Sequence, residues 1–238
     1  MKYLLDNQLA PLTFQWGFLD VPLDAVMASY ARWQRLLLRR AKMSRASLPL
    51  ERALRQLEPL DMGSERVLLI STQSRWTAYF DNGAKGGNPN TVVGVLAERL
   101  KCRAVTCRAI PNTLTPKDRG KPGTWGGVRL TLFAPHATHF LNIERSISVW
   151  NDVDGWTFQA TGAVQAFEET EKYNAPRKAD RFTTEMLERY CHALGIDLFD
   201  PAFYGGPGTI IDSPLWFLPR TKGVSLLEAR RALGLNRQ

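Results

Sequence analysis

Hydrophobic positions recur along this chain with two different periods. From Pro22 to Lys42 the residues Leu23, Val26, Tyr30, Trp33 and Leu37 repeat at helical spacing, which predicts an amphipathic helix entered through Asp20 and Pro22. The same spacing predicts short helices over 50–57 and 91–100, the second capped by Asn90, and a longer one over 180–194 closed by Gly195. A last helix over 226–233 carries a capping box, Ser225 with Glu228, and ends at Gly234.

Between these stand apolar or alternating runs of strand length. They cover 12–19, 66–72, 75–81, 102–110, 127–133, 144–150, 156–161 and 164–168. The pairs 66–72 and 75–81, and 144–150 and 156–161, are close enough to be antiparallel neighbours. Asp154-Gly155 marks the second turn as a two-residue hairpin that pairs Val153 with Trp156 and Asn151 with Phe158. Helices at both ends and one in the middle, around a run of strands, define an α+β fold with a mainly antiparallel sheet of about six to eight strands.

No polar linker separates two complete patterns, so residues 1–238 read as a single domain. A Pro/Gly/Lys-rich segment at 111–124 reads as a mobile loop within it. Hydrophobic residues at 44% and aromatics at 10% supply a sizeable core. No stretch is apolar for the ~20 residues a membrane helix needs, and the N-terminus has no signal-peptide pattern. Three cysteines, an odd number at low density, point to the reducing cytoplasm.

Charge changes this picture most. Residues 144–200 hold eleven acidic and six basic side chains, whereas the rest of the chain holds twenty-five basic and twelve acidic, within a total of +8. Such segregation suits a protein that meets charged partners. Arg32, Arg35, Arg39 and Lys42, extended by Arg40 and Arg45, form a basic stripe with no acid among them, suited to phosphates or lipid headgroups. A second basic group comprises Arg99, Lys101, Arg103, Arg108, Lys117, Arg119 and Lys121, with Trp125 placed to stack on a base. Glu168, Glu169 and Glu171 form an acidic recognition surface. Trp156 and Phe158 share one face of their strand, with Trp150 on the other.

Enzyme chemistry finds little support. The glycine loop 83–87 lacks the Walker and dinucleotide spacings. His136 and His139 give an HxxH in a loop context without a third metal ligand, and residues 151–155 fail the register of a calcium loop. No cofactor or metal is implied. An active site would have to assemble from dispersed groups such as His136, His139, Asp152, Glu168 and Glu169. The leading expectation is therefore a non-enzymatic cytoplasmic protein that binds another protein through a charged and aromatic surface, an acidic partner suiting the basic chain, a profile shared by immunity and inhibitor proteins. A phosphate-backbone or nucleic-acid binder is the alternative, and an enzyme with a dispersed site the third reading.

Overall fold

The computed structural model describes residues 2–63, 65–118, 120–138, 141–215, 217 and 222–235. Among them lie nine strands and five α-helices. The strands are β1 (Gln15–Leu19), β2 (Lys42–Arg45), β3 (Arg66–Ser71), β4 (Thr77–Asp81), β5 (Ala104–Ile110), β6 (Gly127–Phe133), β7 (Ile143–Asp152), β8 (Gly155–Gly162) and β9 (Gly208–Asp212). The helices are α1 (Leu23–Leu36), α2 (Leu50–Arg55), α3 (Pro89–Leu100), α4 (Thr184–Ala193) and α5 (Leu226–Ala232). All strands join one sheet in the order β2-β9-β3-β4-β1-β5-β6-β7-β8, with every pairing antiparallel. The α+β class holds, and no described helix is long and apolar enough to cross a membrane.

Alternation along each strand divides the core between the two faces of the sheet. Trp16, Phe18, Leu68, Phe80, Val105 and Leu130 point to the first face and pack under α2, α4, α5 and the chain around Pro201–Tyr204. The stacked Trp16 and Phe80 rings, 6.4 Å apart, centre it. Trp16 donates its indole N–H to the Tyr204 hydroxyl, which donates to the Leu198 carbonyl. Leu19, Val67, Leu69, Tyr79 and Ala104 point to the second face, under α1 and α3. On this face Gly17 lets α3 approach closely, because a β-carbon there would stand 2.5 Å from Val93.

Several expectations are corrected. The first helix does not run to Lys42. It stops at Leu36 in a Schellman motif: Arg39 N–H donates to the Gln34 carbonyl and Leu38 N–H to the Arg35 carbonyl, with Leu38 left-handed at φ 57°. A non-glycine residue in that conformation costs about 1–2 kcal/mol. Because no glycine marks the stop, the helical period runs past it, and Lys42 lies on the edge strand β2. The expected strand at 164–168 is a turn. Gly162, at φ 89°, ends β8, and the chain folds back so that Glu168 reaches Arg145. The short β2 and β9 replace it, and the sheet has nine strands.

The β7–β8 hairpin is shifted by one residue. Asp152 pairs with Gly155 and Asn151 with Trp156, while the Asp152 carboxylate accepts from Asp154 N–H. Trp156 and Phe158 still share the first face, with Trp150 on the second. At α3 the cap is Asn88, two residues earlier than expected; Asn90 sits inside the helix and accepts from the Thr106 hydroxyl. The capping box of Ser225 and Glu228 forms as expected.

Candidate anion-binding site

The second face changes character across the sheet. Under α1 and α3 it is apolar, but on the β5–β8 half it is polar. The ladders align Gln15, Arg108, Arg129, Ser148 and Gln159 in one row across five strands. The next row holds Thr106, Thr131, Ser146 and Thr161. The row on the other side places Trp150 between Gly127 and Thr157. Helix α3 ends its coverage near Phe133 and Asn142, whose amide donates to the Gly94 carbonyl. Beyond it, Arg129, Ser146, Trp150, Thr157, Gln159 and Thr161 are half-buried or exposed.

Arg108 and Arg129 stand out in this half-sheet. They are direct cross-strand partners, a position where like charges repel. Arg108 Nε is buried without a hydrogen-bond partner, and neither guanidinium has an ion pair among the described residues. Burial, and then the charge of Arg129, push the Arg108 pKa down to about 10. Burial also lowers that of Arg129. Both therefore remain charged at neutral pH, partly desolvated and facing each other. Two neighbouring guanidinium groups without an ion pair are chemically suited to an oxyanion.

Arg108 also lines a cavity of about 700 Å³ with Lys85, Thr124, Trp125, Val224 and Leu233. Its wall includes Glu228, whose carboxylate is engaged by Ser225 in the cap of α5. The lining is largely apolar with Lys85 and Arg108 as its basic groups, a composition suited to a ligand with an anionic group and a flat hydrophobic body.

Other expected site residues fall elsewhere. Arg32 and Arg35 are exposed on α1; Arg39 turns inward and donates to the Ser213 carbonyl at 2.9 Å; Lys42 lies on β2. They form no single helical stripe. In the 111–124 loop, Lys117 is exposed and Lys121 is held by Asp118 at 2.8 Å, while Arg119 lies outside the described residues. Trp125 lines the Arg108 cavity, whereas Lys117 and Lys121 do not. The loop is tied at its base, where Thr124 N–H donates to the Thr113 hydroxyl and Gly126 N–H to the Asn112 side chain.

The acidic surface does not form as expected. Glu168 is fully buried and accepts from Arg145 at 2.9 and 2.6 Å and from the Tyr173 hydroxyl. Glu169 pairs with Arg189, so only Glu171 stays exposed without an ion pair among the described residues. Among the described residues, Glu144, Glu168, Glu169, Asp180, Glu188 and Asp197 each lie within 4 Å of a basic group. Four of these pairs lie within residues 144–200 and leave the net charge of that segment unchanged, while Glu144 with Arg103 and Glu188 with Lys2 reach basic groups outside it.

Nor do the dispersed catalytic candidates converge. His136 lies just before β7 and Asp152 at its far end, about 30 Å away along the strand. Glu168 is enclosed on the opposite face, and His139 lies outside the described residues, as does Trp216. The glycine loop 83–87 wraps an anion of the protein's own. Asp81 accepts from Gly83 N–H, and a β-carbon on Gly87 would fall 1.9 Å from its carboxylate.

No family model, curated protein or solved structure matches this chain. Sequence reading named Arg108 and Trp125 but missed Arg129, Ser148 and the polar row. The available signal was the alternation of Arg129 and Thr131 with Val128, Leu130 and Leu132.

Proposed function

We propose that the protein binds single-stranded nucleic acid on the polar half of its sheet. The observation that carries this reading is the Arg108–Arg129 pair, two partly buried guanidinium groups with no ion pair among the described residues. A sugar–phosphate strand supplies that charge, and Trp150 beside Arg129 and Trp125 beside Arg108 offer faces on which bases stack. The net charge of +8 favours the encounter. Binding of another protein through a charged and aromatic surface has less to rest on, because Glu168 is enclosed and Glu169 is paired with Arg189. Three free, buried cysteines support a reducing compartment, the cytoplasm.

Fluorescence anisotropy with a short labelled oligonucleotide tests the reading. The double variant Arg108→Gln, Arg129→Gln is expected to bind at least tenfold more weakly. Its salt slope should fall by about 1.4, the loss of two phosphate contacts on a single strand. Equal affinity in wild type and variant, or no binding by wild type, contradicts it.

A further inference from the structure

At the opposite edge of the sheet, the end of α1 presents an apolar tip that the fold does not use. Leu36, Leu37 and Leu38 are 66%, 44% and 57% exposed, and Met43 on β2 is 44% exposed on the same side of the sheet. Leu38 occupies the left-handed position of the helix stop, where glycine is the unstrained choice, and stays more than half exposed there. A strained, exposed leucine stabilises nothing within this chain.

Basic side chains predominate around the tip, with Asp212 of β9 opposite Lys42 in the ladder as the nearby acid. Arg32, Arg35, Arg40, Lys42 and Arg45 are all exposed, and none has an ion pair among the described residues. Phosphates alone would satisfy these cations but leave the leucines in water. A surface with anionic headgroups above an apolar layer satisfies both at once. We infer that this tip docks the protein reversibly on an anionic lipid bilayer, with Leu36–Leu38 entering the acyl boundary and the basic ring meeting lipid phosphates. The tip at β2 lies five strand spacings, roughly 24 Å, from β5 and its Arg108. The two surfaces are therefore separable by mutation.

The test is co-sedimentation of the full chain with vesicles of phosphatidylcholine alone, or mixed with phosphatidylglycerol, at about 0.1 M salt. Wild type is expected to pellet with the anionic vesicles only. Replacing Leu36, Leu37 and Leu38 together by Ser should weaken partition at least tenfold. Leu38→Gly guards against misfolding: it should raise the melting temperature by removing backbone strain, yet reduce vesicle binding. Absence of binding by wild type overturns the inference. So does binding that survives both leucine variants but falls in Arg35→Gln, Arg40→Gln, since that reports charge attraction alone, as an acidic protein would elicit. Oligonucleotide affinity should be unchanged in the leucine variants, whichever way the proposed sheet site fares.

Discussion

Arg108 on β5 stands directly across the ladder from Arg129 on β6, with its Nε buried and unbonded. A buried donor without a partner costs about 1–3 kcal/mol, and the like charge opposite adds to it. The lowered pKa of both groups expresses the same penalty: folding disfavours their charged forms. A fold stabilised only for its own sake would place at least one carboxylate here. Binding sites commonly hold such uncompensated groups at a cost to stability.

Arg129→Gln is therefore expected to stabilise the free protein. Relief of about 1 kcal/mol corresponds to a rise of about 2–4 °C in melting temperature for a chain of this size. Circular dichroism melts check it. A clear drop for Arg129→Gln would mean that the guanidinium serves packing instead.

The ion pair of Arg145 and Glu168 should behave in the opposite way. Both side chains are enclosed, and the Gly162 carbonyl and Tyr173 hydroxyl complete their hydrogen bonds. Glu168→Gln leaves a buried guanidinium without its counter-charge and should cost about 3–5 kcal/mol. Joint replacement by Met and Leu should recover much of that loss. Urea denaturation curves of the three variants distinguish these outcomes.

Gly87 combines a φ of 65° with contact against the Asp81 carboxylate. Gly87→Ala should destabilise by more than about 1 kcal/mol, because alanine is strained at positive φ and its methyl group displaces the carboxylate. A melting temperature equal to wild type would show that the 83–87 loop yields without cost.

The tyrosines set an alkaline limit. All six have raised pKa values with burial as the leading cause, Tyr3 and Tyr30 to about 12 and Tyr79, Tyr173, Tyr190 and Tyr204 also upward. A pKa raised by folding means that the stabilisation is full below the unfolded value of about 10 and is lost as pH rises past it. Tyrosinate absorbance should stay low below that pH and then rise together with loss of circular dichroism. Several tyrosines ionising near pH 10 in a folded protein would contradict this burial.

Much of the fold is legible in the sequence because its strands alternate strongly. β3, β6 and the capping box of α5 follow directly from local pattern. What stays hidden depends on distant partners. Leu38 stops α1 without glycine, β2 reads as polar until β9 pairs with it, and Glu168 looks solvated until Arg145 encloses it. The candidate site is hidden for the same reason. Arg108 and Arg129 are 21 positions apart in sequence, and only the ladder register places them opposite each other.

The most direct test of the sheet site is the melting temperature of wild type, Arg108→Gln and Arg129→Gln with increasing single-stranded oligonucleotide at constant ionic strength. Ligand that binds the native state raises the transition in proportion to occupancy. The account predicts that wild type starts lowest and rises most, while both variants start higher and respond weakly. An equal rise in all three proteins, or none in wild type, would contradict it.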